Sequence, residues 1–276
     1  MGDEVRPGAG AATGTICVLG DANLDVIVAL AGPVAPESDT PADTSVGAGG
    51  QAANVAAWIT ALGGRARLIA ARGTDAAGRL VTAELTSRGV DLAGPVIEGR
   101  TGVVVSLSQG GRWRSMLTDR GVGPLLAAGA LEDAWFRGCT WLHLPAYSLV
   151  AEPIQTAALA AVARLPDLSV DLSSASVLRS YGAARFRGLL ARLRPRVVFG
   201  TEEEAGIVGD VPGAETVVKR GPGGVRVGGT EYPATAAAAV DSTGAGDAFA
   251  AGYLLGGVSL GLAAAARAVA KMGAMP

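Results

Sequence analysis

An α/β fold built on a largely parallel sheet is predicted by three features of the sequence. Short apolar runs rich in β-branched residues alternate with Ala-rich segments of helical period along the chain. Two helical segments open on glycine-rich turns, at Gly49-Gly50 and at Gly244–Gly246. Hydrophobic residues make up 49% of the chain but aromatics only 4%, which suits a large core assembled from Ala, Val and Leu. Strands separated by helices need crossover connections, and these make neighbouring strands parallel.

Predicted strands cover residues 15–19, 67–70, 102–107, 141–144, 168–172, 196–199, 216–219 and 225–227. After Gly50, the apolar residues Val55, Trp58, Ile59 and Leu62 recur at i, i+3, i+4 and i+7, one face of a helix that Gly63-Gly64 stops. Residues 248–255 read as a further helix. Two segments break the rhythm. Residues 26–46 carry Pro and Asp and lack a long helical pattern, and residues 101–121 read as a hairpin with Val103, Val105 and Leu107 alternating before Gly110-Gly111. Both fit strands of a small sheet projecting from the main body, or two surface loops. Residues 1–13 are expected to form a flexible tail, and 14–276 a single domain.

Composition narrows the function. The net charge is −2, with no basic run and no aromatic-basic interleaving, so no nucleic-acid partner is expected. No uninterrupted apolar stretch of about 18 residues occurs, so no membrane span is expected. The N-terminus lacks a signal-peptide layout, and Cys17 and Cys139 make no disulfide framework, which points to a reducing cytoplasm. With one histidine, a His-rich metal site cannot be built. His143, at the end of an apolar run, reads as structural, so acid–base chemistry falls to carboxylates.

The most specific motif is the string Asp241-Ser242-Thr243-Gly244-Ala245-Gly246-Asp247-Ala248-Phe249. Its small residues precede a helix, whose first turn exposes unpaired N–H groups and the positive end of the dipole. Small residues let an anion approach those groups. A carboxylate directly after such a cradle, Asp247, is placed to take a proton from an attacking hydroxyl. In Gly49-Gly50-Gln51-Ala52-Ala53-Asn54, Asn54 offers donor and acceptor groups suited to a polyol, or simply faces water. Asn23 and Asp25 follow the first strand, where open α/β sheets bind ligands, although an Asx turn would use the same residues. Thr201 and Glu204 read first as a helix capping box, and otherwise as a carboxylate near Mg²⁺. Lys219-Arg220-Gly221-Pro222-Gly223-Gly224 reads as a glycine-rich turn or a nucleotide-facing loop.

In this order, the pieces resemble the ribokinase-like (PfkB) carbohydrate kinase family from about residue 15 to 273. The strings 49–56 and 241–249 carry the resemblance, supported by Gly73-Thr74-Asp75, Gly78 and Gly89-Val90-Asp91. It implies a Rossmann-like three-layer α/β/α sandwich with a mostly parallel sheet and a small β-sheet lid made by the two irregular segments. It implies that Asn23, Asp25, Gly49, Gly50 and Asn54 contact acceptor hydroxyls. Asp247 would be the base, and Gly244, Ala245 and Gly246 the anion hole for the transferring group. Thr201, Lys219, Gly221 and Gly224 would face ATP, Glu204 would organise Mg²⁺ through water, and Asp241 would lie near a monovalent-cation site, making K⁺ a candidate cofactor. Departures from the family pattern are Thr201 in place of Asn, Gln51 in place of the ribokinase Lys, and Pro145 or Ala146 in the region where ribokinases often place Glu.

The expected activity is therefore ATP-dependent phosphorylation of a hydroxyl on a sugar or sugar-like molecule, by a cytoplasmic enzyme able to form a homodimer through its lid. Two alternatives stay open. A nucleoside kinase on the same scaffold would use Trp113, Met116 and Leu117 to cover a base. A non-catalytic sugar or nucleotide sensor would have no use for Asp247.

Overall fold

The computed structural model describes residues 14–109 and 113–276. The expected tail at 1–13, the Gly110-Gly111 turn and the side chain of Trp113 lie outside the described part. In chain order the strands are β1 (Thr15–Leu19), β2 (Asn23–Leu30), β3 (Ala42–Gly49), β4 (Arg65–Ile69), β5 (Arg72–Gly73), β6 (Asp91–Ala93), β7 (Val96–Ile97), β8 (Thr101–Gln109), β9 (Trp113–Gly121), β10 (Cys139–Pro145), β11 (Asp167–Asp171), β12 (Val197–Thr201), β13 (Glu215–Lys219), β14 (Val225–Val227) and β15 (Thr230–Tyr232). The helices are α1 (Gln51–Ala61), α2 (Ala76–Ser87), α3 (Ile154–Val162), α4 (Ala175–Tyr181), α5 (Ala183–Leu193), α6 (Glu202–Val208) and α7 (Ala245–Val269).

Nine strands form one sheet in the order β15-β14-β13-β12-β11-β10-β1-β4-β6. Every pairing from β13 to β6 is parallel, and β14 and β15 add an antiparallel edge. The pleat sends alternate residues to opposite faces. In β1, Ile16 and Val18 enter a core shared with α1, α2 and α7, while Cys17 and Leu19 enter the core covered by α3, α4, α5 and α6. The result is the three-layer α/β/α sandwich expected from the sequence.

A separate four-stranded sheet has the order β3-β2-β8-β9. It contains the two irregular segments but reaches further than they do, because β2 begins at Asn23 and β3 ends at Gly49. Asp75 ties this sheet to the body. Its carboxylate caps α2 by accepting from Gly78 N at 2.9 Å, and it accepts from Thr101 N and Oγ1 at 3.1 and 2.7 Å.

Helix α7 departs from expectation in two ways. It starts at Ala245 rather than residue 248, so Asp247 lies inside its first turn. It is also long and apolar enough by length and composition to cross a membrane, although its backbone breaks at Gly256-Gly257 and 56% of the apolar window is buried against the protein. Its hydropathy comes largely from Ala and Leu beside glycines, small enough to lie close to α1, and it reads as a core helix. His143 sits within β10 rather than at a strand end and is wholly buried. Its Nδ1 lies 2.8 Å from Ser169 Oγ, which also accepts from Trp141 Nε1. Burial pushes its pKa down to about 4, so it stays neutral and structural.

Candidate active site

The first turn of α7 is the common wall of two cavities. One, of about 260 Å³, is lined on the body side by Asp21, Asn54, Tyr147, Thr243, Gly244 and Asp247, and on the small-sheet side by Asn23, Asp25, Val104, Met116, Thr118 and Arg120. The register explains the second group. Asp25 pairs with Val104, Val104 with Thr118, and Ser106 with Met116, so side chains two apart on three strands face one cleft. The other cavity, of about 400 Å³, lies between the Gly221–Gly224 turn and α7, with Lys219, Ala245, Gly246, Phe249 and Leu262 in its walls. Gly244 and Asp247 thus face the first cavity, and Ala245 and Gly246 the second.

Gly244 caps the helix with φ of 74°, in the left-handed region, and a Cβ there would lie 2.6 Å from Ala274 Cα. Ala245 N donates to Ser242 O at 3.3 Å and Ala248 N to Gly244 O at 2.9 Å. Of the expected Gly244–Gly246 cradle, the Ala245 amide is thus turned inward, whereas Gly246 and, after it, Asp247 stand in the first turn, where helix amides lack an intrahelical partner. Beneath them lies the Lys219 ammonium, 3.2 Å from where a Gly246 Cβ would stand. Lys219 pairs with Asp171 at 2.6 Å, and the Asp171 side chain is 2% exposed. Burial works against the ammonium, but the Asp171 carboxylate outweighs it and the Lys219 pKa is raised.

Asp247 Oδ2 accepts a 2.8 Å hydrogen bond from Asn54 Nδ2. Burial raises the Asp247 pKa to about 7 against that bond, with Asp171 adding to the rise. Asp25 is likewise pushed up to about 7, by burial and then by the negative charges of Asp21 and Glu84. Its carboxyl occupies the space a Gly49 side chain would fill, since a Cβ there would come within 2.0 Å of Asp25 Cγ. This is the reason for glycine at position 49. Asp25 Oδ1, Gln51 Oε1 and Asn54 Oδ1 are buried without a hydrogen-bond partner in the protein. All three residues line the first cavity, and unsatisfied acceptors beside it suit a ligand rich in hydroxyl donors.

Because the Asp25 carboxyl is more basic folded than unfolded, its ionisation opposes folding. The stability it allows is complete below about pH 4 and is lost as pH rises through about 7. Asp25→Asn is therefore expected to be more stable than the natural protein at pH 8, by about 2 kcal/mol after discounting for partial exposure, and no more stable near pH 4. Thermal melts at the two pH values check this, and a variant less stable at both would show that the fold holds the carboxylate ionised.

The remaining expected site residues fall around this centre. Asn23, Asp25, Gly50 and Asn54 line the first cavity, and Lys219, Gly221 and Gly224 the second. Thr201 and Glu204 line neither. They form a capping box on α6, with Thr201 N donating to Glu204 Oε2 at 2.7 Å and Glu204 N to Thr201 Oγ1 at 3.3 Å. Asp241 accepts from Thr243 N and Oγ1 at 2.9 and 2.6 Å and from Gly273 N at 3.0 Å, and so shapes the loop before α7. The sequence pattern gives no role to Arg120, Tyr147 or Asp171, and includes Asp21 only within the Gly20–Asp25 string. Asp21 anchors α1 by accepting from Ala52 N at 3.0 Å, and its signal was present in the Gly20–Asp25 string. Arg120 could have been found by extending the alternation from Met116 through Thr118.

The chain is similar to known kinases over most of its length. The family model for pfkB family carbohydrate kinases matches residues 13–275. An ATP-dependent ribose-1-phosphate kinase of Halopiger xanaduensis is 32% identical over 216 residues, covering 75% of this chain and 72% of the relative. A fructokinase of Escherichia coli is 30% identical over 280 residues, covering 90% of this chain and 85% of the relative. The crystal structure of adenosine kinase from Sinorhizobium meliloti superposes with a TM-score of 0.82 at 23% identity, covering 96% of each chain, which is a likeness of fold.

Proposed function

Since the chain belongs to the pfkB family of carbohydrate kinases, we propose that it transfers the γ-phosphoryl group of ATP to a hydroxyl of a sugar or sugar-like molecule, with Asp247 as general base. The shared wall carries this reading. A hydroxyl in the smaller cavity meets Asp247, and a phosphoryl group entering from the larger one meets the first-turn amides of Gly246 and Asp247 over the Lys219 ammonium. Asp247 accepts the hydroxyl proton while amides and ammonium stabilise the charge on the transferring group. Asn54 holds the Asp247 carboxyl in place through the 2.8 Å bond. Asn23, Asp25 and Asn54 orient the remaining hydroxyls.

The larger cavity has Gly, Ala and Pro in much of its wall and admits a flat base against Leu262, Ala265 and Val269. Among the described residues no group of three or more His, Cys, Asp or Glu side chains is arranged to hold a metal. A Mg²⁺ ion would therefore be held chiefly by nucleotide phosphates, neutralising their charge, with Glu204 as the carboxylate for its water shell. Asp241 stiffens the loop before α7, and a monovalent cation such as K⁺ bound beside it would act on that same loop. The small sheet serves as a lid that excludes water, the competing acceptor. Its exposed Val46 and Leu117 suit a homodimer through the lid, in the cytoplasm. A nucleoside acceptor is the second reading, favoured by Val104 and Met116 in the cleft wall.

The test is a coupled assay for ADP release from Mg-ATP over pentoses, hexoses, sugar acids, sugar phosphates and nucleosides. ADP is expected only with a hydroxylated acceptor present. Silence across the panel with ATP binding intact would replace this reading with that of a non-catalytic sensor.

A further inference from the structure

We propose that the acceptor carries an anionic group, a phosphoryl or a carboxylate, and that Arg120 is the residue that selects it. The inference rests on the kinase reading and names the class of acceptor. Arg120 lies near the end of β9 on the cleft face of the small sheet. Its guanidinium stacks over the Tyr147 ring at 3.8 Å from the centroid, and its side chain is 35% exposed. Stacking fixes the plane of the fork and leaves its edge for bidentate binding of an oxyanion.

Inside the protein Arg120 has the Tyr147 hydroxyl as a neutral polar neighbour but, among the described residues, no carboxylate within hydrogen-bond distance. Its carboxylate neighbour, Asp21 Oδ2, is 3.9 Å away, too far for a hydrogen bond. By contrast Arg67, Arg88, Arg164 and Arg196 reach their carboxylates at 2.6–3.2 Å. Asp21 is itself occupied by neutral donors, accepting from Ala52 N at 3.0 Å and from Asn23 Nδ2 at 3.3 Å. A neutral sugar would not need a guanidinium here, because Asp25, Gln51 and Asn54 already present acceptors for its hydroxyls. Among the described residues that line this cavity, Arg120 is the charged donor. Burial raises the pKa of both the Asp25 and the Asp247 carboxyls to about 7, which lessens their repulsion of an anion. Lys219 is turned to Asp171 and to the other cavity, so it does not duplicate Arg120.

The experiment compares kcat/KM for matched pairs: ribose with ribose 1-phosphate and ribose 5-phosphate, fructose with fructose 6-phosphate, and glucose with gluconate. The expected result is a preference for the anionic member of at least one pair, the phosphate and acid arms telling a phosphoryl from a carboxylate. In Arg120→Met the ratio of anionic to neutral kcat/KM should fall by roughly 10–100-fold, the effect of losing charge-assisted hydrogen bonds. Arg120→Lys, which keeps the charge without the fork, should fall in between. Preference for the neutral sugars, or an equal loss on both members of a pair as expected of a latch between sheet and body, overturns the inference. Calorimetry of the same sugar phosphates separates it from the kinase reading. Arg120-dependent binding without turnover upholds the anion site and sinks the kinase, whereas turnover of neutral sugars with no Arg120-dependent binding does the reverse.

Discussion

Asp247→Asn is expected to lower kcat by about 10²–10⁴-fold, the usual contribution of a general base, while the fold and nucleotide binding survive. The substitution keeps size and can still accept the hydrogen bond from Asn54 Nδ2, so the cleft should hold its shape. It removes the capacity to take a proton. If Asp247 served only the first turn of α7, Asn would cost about 0.3–1 kcal/mol of interaction with the helix dipole and leave turnover unchanged. The pH profile adds a second readout. A base with a pKa of about 7 acts only when ionised, so kcat/KM of the natural enzyme should rise with pH below about 7 and level off above it. The Asn variant should lose that rising limb. Turnover near the natural level in this variant would leave the mechanism without its proton acceptor.

Asp171→Ala is expected to have the largest effect on stability, about 3–5 kcal/mol, equivalent to a fall in Tm on the order of 10 °C. The Asp171 side chain is 2% exposed, bonds Lys219 Nζ at 2.6 Å and accepts from Ser173 N at 2.9 Å. Its removal leaves a buried ammonium without a counter-charge and an amide without its acceptor. The double variant Asp171→Ala, Lys219→Met should recover much of the loss, since most of it comes from the stranded charge rather than from the pair itself. Melting within about 2 °C of the natural protein for the single variant would mean that Lys219 finds solvent or another carboxylate. The pair also has a functional consequence. It fixes the cation under the first-turn amides of α7, so the double variant should recover stability without recovering turnover.

The positions of the active groups in the sequence explain which could be read early. The strings around Gly49–Asn54 and Gly244–Asp247 are local devices. Glycines and a polar residue within one helical turn act through the first amides of that helix, and a helix start is determined by neighbours in the chain. Asn54 and Asp247 were therefore recognisable as candidates, and seven of the nine strands of the main sheet are predicted to within a few residues, whereas β6 and β15, three residues each, show no apolar period. The capping box of Thr201 and Glu204 is equally local, and its simplest reading from residue type is what the side chains do.

By itself, then, the sequence determined the alternation of strands and helices, the small-residue turns that open α1 and α7, and the carboxylate next to the second turn. These depend on period and on contacts within a few residues. The tertiary structure alone decided that Asp247 turns to one cavity and Gly246 to the other. It also decided that Asp171, 48 residues from Lys219, neutralises it, and that Asn54, 193 residues from Asp247, orients it. Arg120 reaches the cleft only because β9 pairs with β8 and β8 with β2 in one register, and a slip of one residue would turn it to the opposite face. Pairings at such separations come from the packing of whole layers and have no signature in any short window of the chain, whereas the pKa values near 7 of Asp25 and Asp247 follow from the burial that this packing creates.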